Sequence, residues 1–489
     1  MNASMQYARW LPVLLLVLAG CSVAPDYRRP AVETPPAYKE APAVPAAGES
    51  GQWKPAAPAE DQPRGPWWRV FGDETLNALE LQAEAANQDL KAAAARLAQA
   101  RALQGAARSD RYPRVDAGFG PTRQRPSPAS QGLDDGAPSQ ASTLWRASLG
   151  VSYEADLFGR VSSAVAAADA ELGRSEALFR SVQLALQADV AQAYFQAREL
   201  DAERELYAGT VELRRRTLGL VQRRYDEGDI SELDLARSRS ELASARAQLL
   251  GIERRRAAAE HGLAILLGRA PADFSLPARP LARVSLRIPA GLPSSLLERR
   301  PDIAAAERAM AAANARIGAA KAAFFPRLDL TGALGYESSQ LGNLFEWSSR
   351  TFLLGPLVGT VLSLPLFDGG RRQAGLDLAR ARYEEEVATY RQTVLGAFRE
   401  VEDNLANLRI LADQSGTQDQ AVEASARAAR LSQIQYREGS ISYLEVIDAD
   451  RTVLLERRAA VQLDGERARS AVNLIRALGG SWEAARAAP

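Results

Sequence analysis

Residue types that do covalent or metal chemistry are scarce in this sequence. Of 489 residues one is cysteine, Cys21, and one is histidine, His261. A lone cysteine excludes a disulfide within the chain and a cysteine-based metal site. His261 lies in an arginine- and alanine-rich helical stretch, where a structural or solvent-facing role is expected rather than ligation. There is no glycine loop with a lysine to cradle a phosphate, and no Cys-His or Ser-His arrangement at a plausible catalytic spacing. These residues describe no enzyme, and energy for any transport would have to come from a partner. One polar group stands out: Leu444, Asp448 and Arg451, at spacings of four and three, share one face of a helix. An acid and a base so placed can form an ordinary surface salt bridge. Sixty basic and sixty acidic residues balance to a net charge of zero, which gives no sign of a nucleic-acid partner.

The start of the chain is a targeting segment. Arg9 precedes an apolar run from Trp10 to Gly20, too short to span a bilayer as a helix, so residues 1–20 read as a signal peptide. Leu18-Ala19-Gly20-Cys21 resembles a bacterial lipobox, in which Cys21 receives diacylglycerol and an N-acyl chain after cleavage. Ser22 follows where an aspartate is absent, which fits sorting to the outer membrane. No other cofactor is expected. Residues 21–66 are rich in proline and alanine and are expected to form an extended surface tether and equatorial segment.

The elements repeat. Repeat 1, residues 67–269, opens with Trp67-Trp68-Arg69-Val70-Phe71 and a proline-free helix from Thr75 to about Ser109. A β-hairpin at 114–158 follows: Val115, Ala117 and Phe119 alternate with Asp116, Gly118 and Gly120, and the odd positions from Trp145 to Leu157 are apolar. Such a strand is long enough to cross a bilayer at a tilt. A long helix at 160–225 carries Val165, Leu172, Phe179, Leu186, Ala193, Leu200 and Tyr207 at spacings of seven, a coiled-coil seam. The turn Tyr225-Asp226-Glu227-Gly228-Asp229-Ile230-Ser231 supplies a C-terminal glycine and an N-cap serine, and a return helix runs 232–267. After a proline-rich linker at 270–295 the plan restarts as repeat 2, residues 296–480: hairpin 327–367, long helix 371–436, return helix 443–478, then a tail at 481–489. Tyr112-Pro113-Arg114 matches Phe325-Pro326-Arg327, and the second tip is Tyr436-Arg437-Glu438-Gly439-Ser440-Ile441-Ser442. Its return strand is expected from Leu357 to Phe367, with Val358, Thr360, Leu362, Leu364 and Leu366 on one face.

Two hairpins give too few strands to close a barrel, because the smallest outer-membrane barrels need about eight. An open edge in lipid leaves backbone groups unpaired. Several chains must share one barrel, and two, three or four copies all give even strand counts.

Gly291-Leu292-Pro293-Ser294-Ser295-Leu296-Leu297-Glu298-Arg299-Arg300-Pro301-Asp302-Ile303, Ala322-Ala323-Phe324-Phe325-Pro326, Leu364-Pro365-Leu366-Phe367-Asp368-Gly369-Gly370 and Ala477-Leu478-Gly479-Gly480-Ser481-Trp482 resemble the outer-membrane factor family. These are the TolC-like exit ducts of efflux pumps, and the match is to the lipoprotein branch related to OprM and NodT. The resemblance implies an α+β membrane protein, a homotrimer with a shared 12-stranded barrel and a periplasmic helical barrel. It further implies a periplasmic adaptor (membrane fusion) protein and an inner-membrane, proton-driven RND-type pump as partners, with outer membrane lipid around the strands. It implies adaptor docking at Tyr225, Gly228, Asp229, Ile230 and Ser231 and at Tyr436, Gly439, Ser440, Ile441 and Ser442. It places a gate at Leu444, Glu445, Asp448 and Arg451, where a ring of aspartates would favour cations. The expected function is passive conduction of small molecules such as drugs and toxic compounds. The alternatives are the exit channel of a type I protein-secretion system and a non-conducting structural envelope lipoprotein.

Overall fold

The four principal helices are paired in length, and local chemistry explains where each stops. In the computed structural model, which describes residues 23–40, 65–129, 132, 134, 138, 140–284, 286, 288, 295–354 and 362–480, α3 (Arg160–Asp226) and α6 (Arg371–Arg437) each have 67 residues. The return helices α4 (Glu232–Leu266) and α7 (Tyr443–Ala477) each have 35. Asp156 starts α3 by accepting from the backbone N–H groups of Val161 and Ser162 at 2.9 and 2.7 Å, and Asp368 starts α6 by accepting from Gly370 and Arg372, both at 3.1 Å. The long helices end on glycines with left-handed backbone, Gly228 (φ 81°) and Gly439 (φ 76°). In both, the next N–H donates back to a carbonyl of the last turn: Asp229 to Arg224 and Ser440 to Gln435, each at 2.9 Å.

The helix expected to run unbroken from Thr75 to Ser109 is two helices, α1 (Glu74–Ala86) and α2 (Gln88–Ser109). Asn87 makes the break. Its backbone turns out of the helix (φ −58°, ψ 133°), its Oδ1 accepts from the Leu90 N–H at 2.9 Å, and its Nδ2 donates to the Leu266 carbonyl at 2.9 Å. The second helix thus gains an Asn cap, and the end of α4 gains a partner for a carbonyl that its own helix leaves open.

Four stretches of chain make one antiparallel sheet in the order β1 (Arg114–Gln124), β2 (Ser142–Ala155), β3 (Arg327–Ser338), β4 (Arg350–Leu354), and β5 (Leu362–Ser363) also pairs with β3. Hairpin joins hairpin across β2 and β3, with Leu149 opposite Leu334. The second return strand differs from expectation: it lies at β4 and β5, and residues 355–361, which include Val358 and Thr360, fall outside the described residues. Leu364 and Leu366 come after the strand, and Leu366 is 87% exposed. Pro365 between them has no N–H to give to a ladder, which ends pairing there.

The chain divides into two compact units, one of Met1–Ala31, Arg96–Ser175 and Ala305–Tyr390 and one of Val32–Ala95, Glu176–Ala304 and Arg391–Pro489. The first holds the sheet. Within it α5 (Pro301–Ala322), from Ala305 onward, leads into β3, and Phe158 stacks on Phe325 at 4.8 Å.

The second holds the main hydrophobic core, built on Trp67, Trp68, Leu76, Val190, Tyr194, Leu263, Val472 and Ile475. Burying indole and phenol leaves polar tips to satisfy. Trp67 Nε1 donates to Gln187 Oε1 at 2.9 Å and Tyr194 Oη to Asp73 Oδ2 at 2.6 Å. From the proline-rich stretch, Leu276, Leu281, Val284 and Ile288 are docked against this core. Arg198 and Arg256, both buried, donate to the Pro277 and Leu276 carbonyls at 2.6 Å, and both pair with Asp201.

The tether is held down as well. Tyr38 is buried, and the Glu402 carboxylate accepts from the Lys39 and Glu40 N–H groups at 2.8 and 3.0 Å.

Candidate functional site

Two surfaces answer to the residues singled out in the sequence. The first is the sheet. Register places Val115 opposite Val151, Ala117 opposite Leu149, and Leu334 between Leu149 and Phe352, so the alternating apolar positions form one continuous face. That face is bare in the single chain: Val115 is 63% exposed, Leu334 56% and Phe352 79%. The opposite face is polar, with Arg146 and its cross-strand partner Glu337 joined at 2.7 Å. Among the described residues, β1 pairs only with β2, and β4 and β5 only with β3, so each side of the sheet ends in an open ladder. A long apolar sheet with open edges is unstable in water and in lipid alike, unless another strand completes it.

The second surface is the pair of helical tips. Val221, Leu235, Tyr443, Val446 and Ile447 form a buried cluster that joins them, with Ile230, Tyr436 and Ile441 packed against it. Tyr436 and Tyr443 lie 5.5 Å apart, and the Arg224 guanidinium sits 5.5 Å over the Tyr436 ring. Of the expected docking residues, Ile230, Tyr436 and Ile441 therefore hold the tips together. Tyr225, Gly228, Asp229, Ser231, Gly439, Ser440 and Ser442 are exposed.

Just beyond, α7 has two faces. Tyr443, Val446 and Ile447 point into the cluster, and Leu444, Glu445, Asp448 and Arg451 are exposed on the other side. The structure brings all four expected gate residues onto one surface. Arg451 lies 3.8 Å from Asp448 and makes a closer ion pair with Glu241 of α4. Glu241 is buried and also pairs with Arg214 of α3 at 2.9 Å, so three helices meet at one carboxylate. Nearby, burial pushes the Asp450 carboxyl above its usual range, against the pull of a 3.0 Å hydrogen bond from Gln433.

Glu241 is a residue of this surface that sequence reasoning passed over. The available signal was an acid beside Leu242 on the face marked by Leu235, Leu242 and Leu249. The same oversight covers a polar ladder between α3 and α7. Gln192 meets Asn473 at 2.8 Å, Glu199 pairs with Arg469, and Gln462 donates to Glu203 at 2.8 Å. His261 is exposed on α4, and no group of metal-ligating side chains occurs among the described residues. Cys21 lies outside the described residues.

A family model described as outer membrane efflux protein matches residues 81–269 and 292–480, two stretches of equal length. The probable efflux pump outer membrane protein TtgC of Pseudomonas putida is 36% identical over 475 residues, covering 96% of this chain and 95% of the relative. The cation efflux system protein CusC of Escherichia coli is 33% identical over 472 residues, covering 96% and 97%. Among solved structures, the open state of the Neisseria gonorrhoeae MtrE outer membrane channel superposes with a TM-score of 0.78 at 31% identity, covering 94% of this chain and 98% of that one.

Proposed function

The chain belongs to the outer membrane efflux protein family, and from that premise we propose how copies of it make a channel. It is the outer-membrane duct of a tripartite efflux pump, spans the outer membrane, extends into the periplasm and works with an adaptor and an inner-membrane pump. The observation that carries the finer reading is the sheet. Its bare apolar face and its two open edges fit a barrel completed by identical neighbours, β1 of one chain against the β4 and β5 side of the next. Three copies give about twelve strands, enough to enclose a water-filled lumen. The duct acts passively on small molecules, and the pump is of the proton-driven RND type. Planar-bilayer recording of the purified protein, with its mass measured in detergent, tests this: channels from a trimer are expected. A conducting monomer, or a trimer that conducts nothing, would overturn the reading.

At the tips, the exposed glycine turns meet the adaptor, and Leu444, Glu445 and Asp448 of each copy ring a constriction. Arg451, tied to Glu241 and through it to Arg214, holds α7 against the first repeat and so resists opening. Cys21 carries the acyl chains. Its substitution by serine abolishes palmitate labelling, and persistent labelling would disprove the assignment.

A further inference from the structure

The segment that follows Cys21 has a built seat in the sheet-bearing unit. Glu307, Asn314 and Gly318 recur along α5 at spacings that keep them on one face. Each takes part of the incoming chain. Glu307 pairs with Arg29 through its carboxylate and accepts from Tyr27 Oη at 3.5 Å through its carbonyl. Asn314 Nδ2 donates to the Pro25 carbonyl at 2.9 Å. At Gly318 the chain comes closest: an added methyl group would stand 2.7 Å from Ala24 Cβ and 2.7 Å from Ser163 Oγ in the first turn of α3. No side chain fits there unless Ala24 leaves. Burial beside Glu307 also pushes the Tyr27 phenol well above its ordinary pKa, so it stays a neutral donor.

Among the described residues the first repeat shows no such seat. Gly105 stands seven residues before Tyr112-Pro113 just as Gly318 stands seven before Phe325-Pro326, and a methyl group at Gly105 would meet nothing within 4 Å. Ala94 and Arg101 occupy the places of Glu307 and Asn314. The strap therefore recognises the second repeat alone.

We propose that Ala24–Arg29 is a strap that fixes where the acylated N-terminus leaves the fold, at the junctions of β2 with α3 and of α5 with β3. The proposal rests on acylation of Cys21. Three residues span no more than about 11 Å, so lipid attached there enters the bilayer beside the lower rim of the sheet. The anchor then acts as a staple that sets the depth of the sheet in the membrane.

Limited trypsin digestion of palmitate-labelled protein in detergent tests both parts. In the wild type the seated strap protects the bond after Arg28. Gly318→Leu raises cleavage there by at least about tenfold, because proteolysis follows the population of the open segment. Glu307→Gln, which removes an ion pair and adds no bulk, raises it less. Gly105→Leu, with the same bulk on the other repeat, leaves protection unchanged, which separates strap release from general unfolding. Equal protection in wild type and Gly318→Leu, or equal exposure in Gly105→Leu, overturns the strap. Release of an N-terminal peptide that carries no label overturns the acylation and the staple with it, whatever the cleavage pattern.

Discussion

At the first tip, Asp234 accepts from the Ser231 hydroxyl at 3.1 Å and lies 3.6 Å from Arg237. At the second tip the matching positions hold Glu445 and Asp448, both exposed. Deeper in repeat 1, Glu80 and Glu203 have no exposed surface, and Glu241 is shared by two arginines. Repeat 2 lays two acids on the exposed face of α7. A duplicated fold can thus keep one backbone and divide the labour. At the first tip carboxylates hold helices together, and at the second the matching acids are left on the surface.

Giving the second tip the first tip's residue is the strongest way to break this contrast. Asp448→Arg restores the acid–base order of Asp234 and Arg237 and turns an acidic ring basic, so cation preference in planar bilayers should be lost or reversed. Asp448→Ala should raise single-channel conductance without that reversal. Unchanged selectivity in both variants would remove the gate from this surface. Next in size, Glu241→Gln leaves Arg214 and Arg451 without their shared carboxylate. Conductance should rise several-fold through a looser tip, and an unaltered current would mean that Glu241 ties helices with no bearing on opening.

Glu80 gives a pH test of the first repeat. Burial, with the charge of Glu84 added, pushes its carboxyl up to about 9 from 4.5. The folded protein keeps this proton while the unfolded chain releases it, so stability declines as pH rises from the unfolded value toward the folded one. Glu80→Gln should therefore melt a few degrees above wild type at pH 8, with the gain fading near pH 4.5; a gain independent of pH would show that titration is not its cause. The smallest effect compares caps. Ser231 accepts from the Asp234 N–H at 3.3 Å, and Ser442 makes no side-chain cap bond. Ser231→Ala should cost about 1 kcal/mol and Ser442→Ala close to nothing, measured by denaturant unfolding.

Much of this was legible because helix ends and strand faces are written locally. Gly228, Ser231, Gly439 and Ser442 mark the tips, and the alternation in Val115–Phe119 and Trp145–Tyr153 marks a sheet with one apolar side. What stayed hidden depends on partners far along the chain. Asn87 breaks a helix because the Leu266 carbonyl needs a donor, and an asparagine within an alanine-rich run announces no such need. The ion pairs of Glu199 and Glu241 could not be chosen from sixty acids and sixty bases. The proline-rich start looks like a loose tether until Gly318 and Asn314, nearly three hundred residues on, make room for it.

The equal arms have a consequence for how such a protein can change size. Val221 near the end of one 67-residue helix packs beside Tyr443 at the start of the opposite return helix. Deleting seven residues from one arm alone would withdraw its end by about 10 Å and pull that contact apart. A longer or shorter reach across the periplasm is therefore open only to matched changes in all four arms, so duplication has made distance a quantity that neither half can alter by itself.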